Sequence, residues 1–161
     1  MPPVIIDLHD HMATRDAILT LNNQSVRETS HLQRSTLDAM IASARVAICV
    51  EPAAAFLLAF AEDDAYDGRH FHWFRERYDQ FLYIDRVVVG DRHRRAGLGR
   101  SLYADLFRRA EHLGQKRVVC EVNATPPNPT SDAFHAAFGF KPVGSATMNG
   151  GSKVVRYLMK G

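Results

Sequence analysis

The chain has 161 residues, 46% of them hydrophobic and 24% charged, with a formal net charge of +2. These values describe one globular domain, residues 1–161, with an ordinary core, and a charge too small to argue for nucleic acid as a partner. No apolar run approaches the roughly 20 residues of a membrane span. Met1-Pro2-Pro3 lacks the charged and apolar stretches of a secretory leader, so a soluble cytoplasmic protein is expected.

In chain order, Val4–Leu8 reads as a short strand. Residues 12–22 read as a helix, which Asn22-Asn23-Gln24-Ser25 ends. Ser30 is placed to cap a second helix over 31–44, where Leu37, Met40, Ile41 and Ala44 share a face. Val46–Val50 and Ala55–Phe60 flank Glu51-Pro52-Ala53-Ala54 as a hairpin. Residues 81–89, Phe-Leu-Tyr-Ile-Asp-Arg-Val-Val-Val, form an apolar run suited to a strand buried on both faces. Leu98, Leu102, Leu106 and Ala110 recur four apart and draw one stripe on a helix. Residues 116–123 are a further strand, so the middle of the chain is a strand-helix-strand unit, right-handed by default. Asn128 is a good N-cap with Pro129 at the first helical position, and Gly139 closes that helix. Pro142–Met148 and Lys153–Met159 form a last hairpin about Asn149-Gly150-Gly151. Cys49 and Cys120 sit in apolar strands and read as buried and reduced.

The chemistry concentrates at 89–100. Arg92, Arg94, Arg95 and Arg100 surround Gly97 and Gly99 at the start of the striped helix. Unpaired N–H groups, the helix dipole and forked guanidinium donors together suit a di- or polyphosphate. A Walker loop is absent. A dinucleotide fingerprint would need a small residue where Leu102 stands, although Glu121 lies near the spacing of its ribose-binding acid. The third pattern is Arg/Gln-x-x-Gly-x-Gly/Ala, here Arg94-Arg95-Ala96-Gly97-Leu98-Gly99. A basic loop that merely caps the helix is the alternative.

That third pattern resembles the acyl-CoA loop of the GNAT superfamily of N-acetyltransferases. A second signature, Asn-x-x-Ala/Ser-x-x-x-Tyr ending in Gly-Phe, is matched by Asn128, Ser131, His135 and Gly139-Phe140, with histidine in place of tyrosine. The resemblance covers about residues 81–158. It implies an α/β fold of three layers, with a mixed, mostly antiparallel sheet of about seven strands, a central parallel βαβ unit and about four helices. It implies acetyl-CoA as cosubstrate and transfer of its acetyl group to an amine by direct attack. The acceptor would be a small molecule, with a protein acceptor or a non-catalytic acyl-CoA-binding module as alternatives. The resemblance lays the pantetheine and carbonyl along Val87, Val88 and Val89. It lays the pyrophosphate over Arg94, Arg95, Ala96, Gly97, Leu98, Gly99 and Arg100, and the pantetheine arm near Asn128 and Ser131. It leaves a homodimer open.

An amine is protonated at neutral pH and needs a base before it can attack a thioester, while the departing thiolate accepts a proton. Asp85 interrupts the central strand and is the candidate base; its other reading is a partner for Arg86. His135 is the candidate acid, or simply a helix residue that bonds the cofactor. Residues 62–80 join two strands that a tight turn could join. His70, Trp73, Phe74 and Tyr78 could wall an acceptor pocket, with Glu62, Asp63, Asp64 and Asp67 attracting a cation. Equally, a short helix could pack Trp73 and Phe74 on the core. His9, His11, His70 and His72 have no clear third ligand, so no metal is expected. Cys120 has no activating base, and the basic loop lacks the interleaved aromatics of RNA binding.

Overall fold

The computed structural model describes residues 2–25 and 30–161. Its seven strands are β1 (Ile5–Asp7), β2 (Val46–Val50), β3 (Ala55–Ala61), β4 (Phe81–Val89), β5 (Arg117–Thr125), β6 (Lys141–Met148) and β7 (Lys153–Lys160). They form one sheet in the order β1-β2-β3-β4-β5-β7-β6. All neighbours pair antiparallel except β4 and β5, which are parallel. Among the described residues there are five α-helices: α1 (Arg15–Gln24), α2 (Arg34–Ser43), α3 (Arg69–Arg75), α4 (Leu98–His112) and α5 (Pro129–Ala137). The mixed sheet and its central parallel unit are as expected. The helix beyond the expected four is α3, inside the 62–80 connection.

Alternation of side chains along each strand divides the core in two. Phe56, Leu58 and Phe60 of β3 face α1, α2 and α3, meeting Ile18, Leu37, Ile41, Phe71 and Phe74. Ala55, Leu57, Ala59 and Ala61 face α4, meeting Leu102, Tyr103 and Leu106. β2 and β3 are buried along their whole length because both faces are covered. The small alanines of β3 let the long α4 lie close against the sheet.

Helix boundaries in the first part of the chain differ from the sequence reading. Asn22 and Asn23 do not end α1, because their amides serve the next segment instead. Asn22 Nδ2 donates to the Ser30 carbonyl at 2.9 Å, and Asn23 exchanges bonds with the Leu32 backbone at 2.9 and 3.0 Å. Ser30 does not cap α2, which begins at Arg34 behind Gln33. Met12–Thr14 turns separately, as a short 3-10 helix before α1.

The Trp73 indole stacks on Tyr157 with ring centroids 4.1 Å apart and lies directly over Gly144 of the edge strand β6. A Cβ at Gly144 would run into the ring. Gly144→Ala should therefore cost about 1–3 kcal/mol of unfolding free energy in a urea titration, as overpacking does. Trp73 is the only tryptophan, so its fluorescence reports the same site. In a Trp73→Leu background most of the loss should vanish; an equal loss in both backgrounds would contradict this packing.

Candidate functional site

The site begins where the parallel ladder stops. β4 and β5 pair only at Phe81↔Arg117, Leu82↔Val118 and Tyr83↔Val119. Beyond Tyr83, β4 continues along β3 and β5 continues along β7, so the two strands part. The β3–β4 register jumps from Ala59↔Ile84 to Leu58↔Arg86, which leaves Asp85 as an extra, bulged residue. A bulge re-aims the strand and its side chains. Before it Tyr83 faces α1–α3 and Ile84 faces α4; after it Val88 faces the first side, and Val87 and Val89 the second. Backbone N–H and C=O groups of β4 on the β5 side beyond Tyr83 lack a sheet partner there and need another.

The opening is a cleft of about 530 Å³ that passes between the parted strands. Ile84–Val87 line one wall and Cys120–Asn123 the other. Asn128, Ser131, His135 and Tyr103 come from α5 and α4 on one face of the sheet; His70 and Lys153 line the cleft as well. The residues expected along the cofactor path are thus brought together in part. Val87, Asn128 and Ser131 line the cleft, whereas the Val88 side chain is buried in the core beside α1–α3. Asn128 caps α5 as the sequence indicated, its Oδ1 accepting from the Ser131 N–H at 3.2 Å.

The glycine-arginine loop ends at the first turn of α4. Gly97 is the N-cap with φ +76°, in the left-handed region, and a Cβ built on it would meet nothing within 4 Å. The loop is exposed from Asp91 to Gly97. Arg94 pairs with Asp91 at 3.0 Å, and Arg100 lies over the Phe138 ring. An accessible helix N-terminus with guanidinium groups around it can hold a polyphosphate. The dinucleotide alternative fails on topology. A doubly wound parallel sheet is required, whereas here one strand pair is parallel, and Glu121 sits in the cleft with its carboxyl bonded to Tyr83.

Asp85 is held rather than free. Its Oδ1 accepts a short hydrogen bond from Tyr66, and its Oδ2 accepts from Arg86 Nε at 2.6 Å. Both side chains of this ion pair are nearly enclosed, 7% and 8% exposed. Arg86 reaches on to Asn22 Oδ1 at 2.9 Å, which ties the bulge to α1.

The carboxyl that stands out is Glu121, on the opposite wall. Burial pushes it up to about 8, against the bond it accepts from the Tyr83 hydroxyl at 2.6 Å, while the charge of Asp85 pushes the same way as burial. The signal was legible: Val118-Val119-Cys120-Glu121-Val122 carries one acid in an apolar strand, as β4 carries Asp85. Tyr83 and Tyr66 were hidden, being two tyrosines among several aromatics with no spacing to mark them. Burial first, and the neighbouring carboxylates next, raise both phenols above the ordinary tyrosine value.

His135 is buried and doubly bonded. Its Nδ1 is 2.8 Å from the Ser131 carbonyl, which can only accept, so Nδ1 carries the hydrogen. Its Nε2 is 2.8 Å from the Tyr103 hydroxyl and, in the neutral ring, accepts from it. Burial lowers its pKa and favours that neutral form. Tyr103 is thus a second cleft residue that the sequence did not single out, because it lies beside the α4 stripe.

Segment 62–80 divides between its two readings. His70 lines the cleft, with Nδ1 2.9 Å from the Tyr157 hydroxyl. Phe74 is fully buried in the core, and Trp73 stacks on Tyr157. Tyr78 packs beside Phe74 under Arg117 and does not line the cleft. The acids serve other partners: Glu62 accepts from the Phe81 N–H, Asp63 and Asp64 pair with Arg45, and Asp67 pairs with His72. Among the described residues no three His, Cys, Asp or Glu side chains converge as a metal site, and no helix is long and apolar enough to cross a membrane. Cys49 and Cys120 are free and buried, and burial raises both thiols, Cys49 to about 12.

Known structures share this architecture. A ribosomal-protein-alanine N-acetyltransferase from Brucella melitensis superposes with a TM-score of 0.74 at 17% identity, covering 98% of each chain. The ribosomal-protein-S18-alanine N-acetyltransferase from Escherichia coli gives 0.71 at 15%, covering 98% of this chain and 92% of its own. An aminoglycoside 6'-N-acetyltransferase complexed with coenzyme A gives 0.72 at 14%, covering 98% and 96%. At such identities the likeness is one of fold. The sequence itself carries the assignment: residues 52–140, more than half the chain and spanning β3 to α5, match the acetyltransferase (GNAT) family. The chain belongs to the acetyltransferase (GNAT) family.

Proposed function

We propose that residues 1–161 are one N-acetyltransferase domain, cytoplasmic, that moves the acetyl group of acetyl-CoA to the amine of a small molecule by direct attack. One observation carries this reading: the parted strands β4 and β5 open a passage with an anion-binding loop at the α4 end and the raised carboxyl of Glu121 on its wall. A polyphosphate handle fits the loop because Gly97 leaves its approach clear and the arginines are exposed there. The extended arm of such a cosubstrate can take up the unpaired backbone groups of β4, and Asn128 and Ser131 lie beside that path. Acetyl-CoA brings the activated thioester; the chain supplies position, charge and protons.

Glu121 is the base in this reading, in place of Asp85. Asp85 is committed to Arg86 and Tyr66, whereas Glu121 has a pKa near the working range, where a base both exists deprotonated and takes protons well. Glu121 removes a proton from the acceptor ammonium and frees the lone pair for attack. A β4 N–H facing the cleft holds the thioester oxygen as it gains charge. On the other side of the passage, Tyr103 and His135 supply the proton that the thiolate takes as the carbon–sulfur bond breaks. Because neutral His135 has no hydrogen on Nε2, the proton reaches the sulfur from the Tyr103 hydroxyl, which His135 holds in place, and the phenolate left behind takes a proton back from solvent as the products leave. A small acceptor is favoured over a protein chain because α3 brings His70 to the cleft wall and walls that side.

Three outcomes follow from these roles. Acetyl-CoA should raise the melting temperature. Gly99→Asp should abolish that shift while the protein stays folded, since its Cβ would meet Phe134 at 3.8 Å and Val89 at 4.0 Å, both ordinary contacts, and its charge would oppose phosphate. A shift that survives intact would remove the loop from the cofactor site.

kcat/KM should rise with pH and level off above about 8, the value to which Glu121 is pushed. Glu121→Gln should lower kcat by about 10²-fold and flatten that limb. A folded pKa raised above the ordinary carboxyl value means the stabilisation is complete below that ordinary value and is lost as pH climbs through about 8. Glu121→Gln cannot ionise, so its stability relative to the parent should grow between about pH 5 and pH 8 and then hold. A variant that keeps full kcat with an unchanged profile would return the base role to another group.

Tyr103→Phe and His135→Phe should each lower kcat by about 10²-fold while leaving acetyl-CoA affinity nearly intact. The double variant should lose little more than either single one, because the two side chains act as a unit. Fully additive losses, or no loss, would separate them.

A further inference from the structure

The charges around the acceptor side do not balance. Of the cleft-lining carboxylates, Asp85 is neutralised by its buried pair with Arg86. Glu121 is bonded to Tyr83 and, being raised to about 8, is mostly uncharged at neutral pH. Burial lowers the pKa of both His70 and His135, which keeps those rings neutral. Lys153 is what remains. It lines the cleft, and among the described residues it makes no ion pair and no side-chain hydrogen bond. Its charge acts on both Glu121 and His70, in keeping with its place on the same cleft.

The position of Lys153 is fixed by the sheet. It pairs with Met148 at the start of β7, directly after the turn at Asn149–Gly151. Side chains alternate along a strand, so Lys153 shares the face of Val155 and Tyr157, the same face as α3 and His70. Arg69 begins α3, is exposed, and acts on His70 and Tyr157 from the same side. No acid of the 62–80 segment offsets these two cations. Asp63 and Asp64 are turned to Arg45, Asp67 to His72, Glu76 to Arg77 and Asp79 to Arg117. Like charges repel in such a confined site. A dication or polycation would meet that repulsion, and an amine with no other charge would leave Lys153 unmatched.

We propose that the acceptor is a small zwitterionic amine, one whose amine is accompanied by a carboxylate or phosphate a few bonds away, and that Lys153 binds that anionic group while Glu121 faces the amine. The proposal rests on the acetyltransferase reading above and names its substrate class. Two oxygens of a carboxylate or three of a phosphate suit an ammonium donor equally, so both belong to the class. The amine then lies between an anion fixed on β7 and the base on the neighbouring β5, which orients it toward the passage.

The test follows free thiol release from acetyl-CoA with a panel of short amines. Glycine, β-alanine and 4-aminobutyrate carry carboxylates, and phosphoethanolamine carries phosphate. Glycinamide and ethanolamine are their neutral counterparts, putrescine is a dication, and a lysine-rich peptide represents a basic protein segment. The best anionic amine should exceed its neutral counterpart by about tenfold or more in kcat/KM, as one partly buried ion pair gives. Which anion leads separates carboxylate from phosphate. Lys153→Gln should shrink that ratio about tenfold, chiefly through KM, and Lys153→Glu should turn the preference toward putrescine. Melting curves confirm that both variants fold.

Turnover of neutral amines, putrescine or the peptide at rates equal to or above every anionic amine overturns the proposal and leaves the acetyltransferase reading standing. So does a preference for anionic amines that survives Lys153→Glu. Failure to turn over any anionic amine, in a protein whose melting temperature acetyl-CoA still raises, also overturns it. Failure of acetyl-CoA to bind at all removes the underlying reading instead, and the proposal with it.

Discussion

The ladder between β4 and β5 stops after three residue pairs, and the site depends on that stop. A sheet that kept pairing to the ends of both strands would satisfy every backbone group and leave no passage. Here β4 keeps its partner β3 and β5 keeps its partner β7, so each strand remains anchored while the pair opens. The bulge at Asp85 makes the parting tolerable. It adds a residue to β4, turns the strand, and is itself secured by Arg86 and Tyr66. The buried ion pair is therefore a structural clamp at the point of divergence. Removing one partner of such a pair would strand the other charge in the interior.

The passage connects two environments that the sheet keeps apart. On the α4 and α5 face, an exposed helix N-terminus and its arginines attract anions, and the helix is held to the sheet by the small alanines of β3. On the α1–α3 face, an aromatic cluster of Tyr66, Phe71, Phe74, Tyr83 and Tyr157 surrounds the carboxyls. That apolar packing is what raises Glu121, since a charged carboxylate there would lose its water without gaining a cation in contact. One sheet thus places an exposed, anion-attracting loop on one side and a desolvated carboxyl on the other.

Much of this was written in local pattern. The strands, the striped α4, the Asn128 cap and the Asn149–Gly151 turn follow from alternation, helical spacing and turn chemistry, which short windows display. The loop of Arg94–Arg100 was legible because its glycines and arginines have few other uses together. What the sequence hid depends on long-range geometry. Asp85 and Glu121 look alike in sequence, each one acid in an apolar strand, and only the neighbours supplied by other elements separate them. Arg86 reaches Asp85 from the next position, while Tyr83 reaches Glu121 from another strand. Likewise Asn22 and Asn23 read as helix breakers but bond to residues eight and nine positions on, which keeps α1 intact.

His135 shows how a single substitution within a familiar pattern redistributes work. A phenol at that position would present its own hydrogen to the passage. The imidazole instead commits Nδ1 to the carbonyl one turn back, which leaves Nε2 as an acceptor. The hydrogen on this side of the passage then belongs to Tyr103, one helix away, and the ring holds that hydroxyl in place. The aromatic rings of Phe134, Phe138 and Phe140 pack around the pair and keep it dry, so burial opposes a charged imidazolium, raises the Tyr103 phenol above its ordinary value and holds both groups neutral. The acid proposed for this chain is accordingly a property of two side chains on two helices. Its geometry is set by the packing of α4 against α5 rather than by either residue alone.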